Sequence, residues 1–257
     1  MNDLVNTLQR EKYKILLIGD ACIDKYVYGT VDRISPESPV PVLKLSGKEE
    51  SRPGMASNVY ENLKALHCDV QQLSGPLSYK TRFIDTKSGY QLLRVDEDHK
   101  SEPIEFATFI PEMYNAIVIS DYNKGCVSPE TIREVRNLFR GPIFIDTKKT
   151  DLEEFDGCYV KINDLEHRSA QTLPSSRYLI VTKGSEGTLY DGKMYSTKKV
   201  EVHDVTGAGD VHLAALAVFY LFTGSIENAL PFANKLASIS VQHTGTYTIT
   251  DEDLNSL

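Results

Sequence analysis

The sequence predicts an α/β protein: a mostly parallel central sheet covered by helices on both faces, with a smaller β-sheet projecting from it. Three observations carry that expectation. Short apolar runs at residues 14–18, 116–120, 143–146, 159–162 and 178–182 have the length and punctuation of buried strands. Helical patterns alternate with them, as parallel strands require. Two stretches of another texture, residues 24–45 and 81–96, hold short β-prone runs broken by Pro, Ser and Gly.

The elements follow in order. After an amphipathic start, the run at 14–18 ends at Gly19-Asp20, a strand entering a loop at its carboxyl end. Tyr26, Tyr28, Val40, Val42 and Leu43, then Phe83, Leu92, Leu93 and Val95, supply the small sheet. It is expected to be antiparallel and to close over a site, meet a second subunit, or both. Ser128-Pro129-Glu130 opens a helix with a capping hydroxyl, a proline in the first turn and an early acid, and Ile132, Val135 and Leu138 share one face. Residues 207–222 and 225–241 are helical in pattern, with Pro231 expected to kink the second or delay its start.

The 257 residues suit one large domain with an appendage. A net charge of −8 with no basic run argues against a nucleic-acid surface. Four scattered cysteines without metal-ligand spacing, and no long apolar segment, point to a cytoplasmic protein that does not enter a membrane. None of the six histidines shows metal-ligand spacing.

The richest stretch is Asp204-Val205-Thr206-Gly207-Ala208-Gly209-Asp210, just before the helical run that begins at Leu213. Glycines at a helix start leave backbone N–H groups pointing outward from a positive helix end, with a carboxylate beside them. That combination suits phosphoryl transfer to a hydroxyl: amides stabilise the moving charge and Asp210 accepts the proton. A glycine-rich turn carrying a dipole-favoured acid is the plainer alternative.

Seven further segments accompany it: residues 19–24 (GDACID), 33–42 (RISPESPVPV), 52–58 (RPGMASN), 91–96 (QLLRVD), 120–125 (SDYNKG), 163–166 (NDLE) and 181–187 (VTKGSEG). In this order they resemble the ribokinase or PfkB-type carbohydrate kinases over nearly the whole chain, and residues 33–42 resemble the heptose-7-phosphate kinase branch. The resemblance implies a single ribokinase-like three-layer kinase domain over 1–257, with segments 24–45 and 81–96 as a lid; an exposed lid sheet favours a homodimer over a monomer. It further implies an ATP- and Mg²⁺-dependent kinase acting on a sugar or sugar phosphate, with heptose 7-phosphate as the acceptor.

Carried over position by position, Asp210 matches the catalytic base and Gly207, Ala208 and Gly209 the anion hole. Asn163 and Glu166 match a motif that organises hydrated Mg²⁺; a strand-end Asn and a surface Glu are the alternative. Lys183, Gly184, Glu186, Gly187, Thr206 and Asn234 match nucleotide-side positions, and Asp204 with Thr206 a K⁺ site present in some relatives. Asp24, Gly54 and Asn58 match sugar contacts, although Asn58 could instead cap a helix. Arg94 and Lys124 are candidates for a sugar phosphate, with surface ion pairs as the alternative.

The chain also departs from the family. It passes from Gly75 to Lys80 through Pro76-Leu77-Ser78-Tyr79, too few residues for a parallel crossover, so at least one strand-helix unit is missing and the sheet edge is shortened. Met55 stands where relatives often have glycine, and Thr147 replaces a proline. No nucleotidyltransferase domain follows, so the expected activity is the kinase half alone. A catalytically reduced relative that binds nucleotide or sugar, or a kinase for another hexose or heptose, are the competing readings.

Overall fold

A computed structural model describes residues 3–105 and 110–257. In chain order its elements are α1 (Asp3–Glu11), β1 (Lys14–Gly19), β2 (Ala21–Ile34), β3 (Pro41–Met55), α2 (Ala56–Ala65), β4 (Asp69–Ser74), β5 (Ser78–Asp85), β6 (Gln91–Glu97) and β7 (Ala116–Asp121). They continue with α3 (Pro129–Leu138), β8 (Ile143–Thr147), β9 (Tyr159–Asn163), α4 (Asp164–Ser169), β10 (Leu179–Thr182), β11 (Thr188–Tyr190), β12 (Lys193–Tyr195), α5 (Ala208–Thr223), α6 (Ile226–Ser240) and α7 (Asp251–Asn255).

The large sheet has eight strands in the order β12-β11-β10-β9-β8-β7-β1-β4. It is parallel from β4 to β10, and β11 and β12 close that end as antiparallel hairpins. Strand alternation splits the core in two. Ile15, Leu17, Val118, Phe144 and Ile180 face a layer built on α1, α2, α5 and α6, whereas Leu16, Ile18, Ile117, Ile119 and Ile145 face the layer that contains α3. Helix α5 packs between α2 and α6 and buries every residue from Asp210 to Phe219, which is why its sequence is apolar on all sides. Ser128 caps α3 as its sequence predicts, and Ser225 caps α6. Pro231 neither delays nor ends α6: the helix begins at Ile226 and runs through it.

The second sheet has the order β3-β2-β5-β6 and corrects one expectation. It is mixed, because β2 and β5 pair in parallel while β2–β3 and β5–β6 are antiparallel. Its strands also extend beyond the two predicted segments, taking in residues 21–23, 46–55 and 78–80. β2 and β3 are long and carry the sheet outward from the core, with their roots at Ala21 and Met55 paired beside β1.

Two junctions position the site. Gly19 ends β1 so close to β7 that a Cβ there would lie 2.2 Å from the Ser120 carbonyl oxygen. The next residue, Asp20, accepts hydrogen bonds from the Tyr122 and Lys124 N–H groups at 2.8 and 3.1 Å, tying the loop after β7 to the end of β1. At Met55 the backbone has φ 54°, a conformation natural to glycine, and the side chain is buried.

β4 forms one edge of the large sheet among the described residues, and Gly75-Pro76-Leu77 passes directly to β5. The residues after β6 cover part of the space. Ser101 N–H donates to the Lys124 carbonyl at 2.8 Å, Ile104 N–H donates to that of Cys126 at 3.1 Å, and the Ile104 side chain joins the second core.

Candidate active site

A cleft of about 660 Å³ lies at the carboxyl ends of β8, β9 and β10 and the start of α5, the end of a parallel sheet where ligands bind. Asp210 lines it from the first turn of α5 and is 3% exposed. Two donors from distant elements hold its carboxylate. Asn58 Nδ2, from α2, donates to Oδ2 at 3.0 Å, and Tyr122 Oη, from the loop after β7, donates to Oδ1 at 3.1 Å. Burial pushes the Asp210 pKa up to about 6; the Asn58 bond opposes this, Asp146 adds to it, and Lys161 and the Tyr122 bond oppose it again. The Tyr122 phenol is itself pushed well above its ordinary value by burial and by the Asp210 charge, so it stays protonated and remains a donor.

Gly207 caps α5 in the left-handed conformation, φ 77°. A Cβ there would lie 2.6 Å from Asn58 Nδ2, so the glycine is needed both for the turn and for the approach of Asn58. The expected anion hole changes in one member. Ala208 N–H turns back to the Val205 carbonyl at 3.3 Å, whereas the N–H groups of Gly207, Gly209 and Asp210 meet no acceptor among the described residues. Beside them stand two lysines that the sequence reading passed over. Lys161, on β9 and 3% exposed, pairs with Asp146, and its Nζ lies 3.0 Å from where a Cβ on Gly209 would sit. Lys148 bridges Asp146, at 3.4 Å, and Glu166. Burial works against the Asp146 charge, but the two lysines outweigh it and hold that carboxyl below its usual range. The sequence held one signal for Lys161, a lysine inside an otherwise apolar strand.

Asn163 and Glu166 form a capping box at α4: Asn163 Oδ1 accepts from Glu166 N–H and Glu166 Oε2 accepts from Asn163 N–H, both at 2.8 Å. Both residues line the cleft. No group of three or more His, Cys, Asp or Glu side chains gathers into a metal cage among the described residues. A Glu166 carboxylate on the wall fits a hydrated Mg²⁺ that is shared with phosphates. On the nucleotide side, Gly184 and Gly187 line the cleft; Glu186 lies in the turn between them, and Lys183 is held by Asp164. Asn234 lines it too, and is fixed by Thr188 Oγ1 at 2.6 Å and the Tyr195 carbonyl at 2.7 Å. Buried His212 sits against Asn234 and Thr188, its pKa depressed to about 3 by burial and by Lys161. Asp204 is committed to its own loop: it accepts from Thr206 N–H and Oγ1 at 2.9 and 2.7 Å and from Gly245 N–H at 2.8 Å. No step is assigned to a monovalent cation.

The acceptor-side candidates divide. Asp24 pairs with Arg82, and a Cβ at Gly54 would lie 2.2 Å from Asp24 Oδ2, so these two residues share a tight corner near Cys22. Asn58 is fully buried in the third position of α2, so it is neither a helix cap nor open to a sugar; it supports Asp210. Arg94 is held by Asp96 at 2.7 and 3.0 Å, and Lys124 by Asp98. Their charges are already matched, as the surface-pair alternative has it.

This α/β fold, with a mixed lid sheet and a helix-start carboxylate at the strand ends, is the ribokinase-like fold. The ribokinase of Thermotoga maritima superposes with a TM-score of 0.70 at 19% identity, covering 95% of this chain and 98% of that one. Arabidopsis thaliana ribokinase complexed with ribose and ATP gives 0.66 at 16%, covering 95% and 98%. Residues 127–253 match the pfkB family carbohydrate kinases, and the chain belongs to that family. The bifunctional protein HldE of Hyphomonas neptunium is 32% identical over 95% of this chain and 63% of its own length. HldE of Campylobacter jejuni subsp. jejuni serotype O:2 is 31% identical over 98% and 66%. The chain thus spans 63–66% of the length of these relatives. The Hyphomonas alignment runs over 311 positions against a chain of 257 residues, so at least 54 of them face no residue here, in keeping with the shortened sheet edge.

Proposed function

We propose that this chain is an ATP-dependent carbohydrate kinase that uses Asp210 as its base, with D-glycero-D-manno-heptose 7-phosphate as the acceptor and its anomeric hydroxyl as the nucleophile. The observation that carries the reading is the union, on one cleft wall, of a clamped carboxylate, free amides at a helix start and the Lys148–Lys161 pair. As the acceptor oxygen forms its bond to the γ-phosphorus, Asp210 takes the hydroxyl proton and the bond from that phosphorus to the bridging oxygen breaks, releasing ADP. The Gly207, Gly209 and Asp210 N–H groups and the two lysines face the charge that builds on the phosphoryl oxygens. Glu166, with Asn163 beneath it, would hold Mg²⁺ through water, and when bound the ion neutralises charge on the β- and γ-phosphates.

The heptose branch rests on the residue 33–42 run and on the HldE relatives. The whole chain acts as one domain in this reading, located in the cytoplasm; no helix among the described residues is long and apolar enough to cross a membrane. A homodimer through the lid is supported by Leu45, Leu93 and Val95, which are apolar and exposed there. The test is ADP release with ATP, Mg²⁺ and a panel of sugars and sugar phosphates. Acceptor-dependent turnover that falls by about 10² to 10⁴ in Asp210→Asn is expected; nucleotide binding without turnover on any acceptor would favour the reduced relative.

A further inference from the structure

The inner face of the lid is polar, and its charges can be accounted for one by one. Cross-strand pairing puts Asp24 opposite both Arg52 and Lys80, Tyr26 opposite Glu50 and Arg82, Lys80 opposite Asp96, and Arg82 opposite Arg94. Residues paired in this way share a face. It is the face turned to the site, because Lys80 Nζ stands 5.6 Å from the centre of the Tyr122 ring, whose hydroxyl holds Asp210.

Each arginine on that face already has a carboxylate: Arg82 has Asp24, Arg52 has Glu50 at 3.2 Å, and Arg94 has Asp96. Of the lysines around the cleft, Lys124 is matched by Asp98, Lys148 by Asp146 and Glu166, Lys161 by Asp146 and Lys183 by Asp164, while Lys198 has no carboxylate partner among the described residues but is exposed to solvent. Lys80 is the one half-buried exception among these described lysines. It is half-buried, and no carboxylate among the described residues pairs with it. The carboxylates opposite it, Asp24 and Asp96, are engaged by Arg82 and Arg94, and a partly desolvated ammonium without a direct ion pair is costly. Its place also separates it from the nucleotide-side lysines: it lies on β5 opposite Asp24, whereas Lys148 and Lys161 belong to the large sheet.

We propose that Lys80 determines acceptor specificity by receiving an anionic substituent of the sugar, so that the protein selects a sugar phosphate over the corresponding neutral sugar. The inference rests on the kinase reading above and adds the residue that Arg94 and Lys124 cannot be. A compact ammonium on a flexible stem suits a phosphate approached from one side.

The experiment compares the wild type with Lys80→Met and Lys80→Arg, using heptose 7-phosphate and the same heptose without phosphate. Both kcat/KM by ADP release and sugar affinity by calorimetry without nucleotide are measured. Loss of one charge-assisted contact predicts a fall of about 10- to 100-fold in the preference for the phosphorylated acceptor in Lys80→Met, partly restored in Lys80→Arg. A preference that does not change overturns the proposal, whether or not activity falls, because Lys80 would then serve the nucleotide or the Tyr122 ring. Wild-type protein that binds neither sugar overturns it too. Phosphate-selective binding that depends on Lys80, without turnover of any acceptor, would sustain it while refuting the kinase reading.

Discussion

Replacing Tyr122 by Phe removes one hydroxyl from a half-buried ring and leaves its packing in place, so its effect can be worked from the Asp210 site. The Tyr122 bond to Asp210 Oδ1 is 3.1 Å long and stabilises the ionised carboxylate. A hydrogen bond to a charged group contributes about 1.5–3 kcal/mol, and 1.36 kcal/mol corresponds to one pKa unit. At this length the lower figure applies, so the acid limb that starts near pH 6 should move up by about one unit. The groups facing Asp210 from the surrounding elements, Cys22, Asp146 and Lys161, remain as they are. The assay is kcat/KM for the acceptor from pH 5 to pH 9, wild type against variant, so that titration of the substrates cancels. From the ionised fractions, the loss due to charge is about tenfold at pH 5 and about twofold at pH 7, and it vanishes by pH 9. A uniform loss with an unmoved limb, or a limb that moves down, would refute the reasoning.

Two further outcomes follow from the same site. Because the folded pKa of Asp210 lies above its unfolded value of 3.8, its contribution to stability is fully present below pH 3.8 and is lost as pH rises through about 6. Asp210→Asn escapes that loss, worth about 3 kcal/mol at most and offset by about 1 kcal/mol for the donor the amide cannot serve. The inactive variant should therefore melt a few degrees higher at pH 8, with the two melting curves converging near pH 4; a lower Tm at pH 8 would contradict the origin assigned to the shift. Gly207→Ala should lower turnover by at least tenfold and cost about 1–2 kcal/mol of stability in denaturant titration, since its Cβ meets both the left-handed strain and Asn58 Nδ2.

Much of this architecture was legible in the residues. The buried strands announce themselves as short apolar runs because both of their faces are covered, and the cap at Ser128 is local chemistry. The turn from Asp204 to Asp210 was legible for the same reason. What stayed hidden depends on chain topology. Asn58 and Tyr122 lie 152 and 88 residues from Asp210 along the chain, so no local pattern shows that both are donors to it. The Arg94–Asp96 pair is local to β6, but that Lys124 meets Asp98, and that Lys80 meets no carboxylate among the described residues, depends on how distant segments are brought together. The parallel pairing of β2 with β5 likewise follows from the short passage after β4 rather than from the composition of either strand.

That short passage gives the protein a vacant berth. Among the described residues no strand pairs with the outer side of β4, and Gly75-Pro76-Leu77 leaves it at the surface. A grafted helix and strand of the usual crossover length could dock there without severing any existing ladder, and lengthening a surface connection costs little entropy. The same vacancy makes the acceptor end of the fold a place where a designer could build a new wall, and with it a new sugar preference, while the machinery around Asp210 stays untouched.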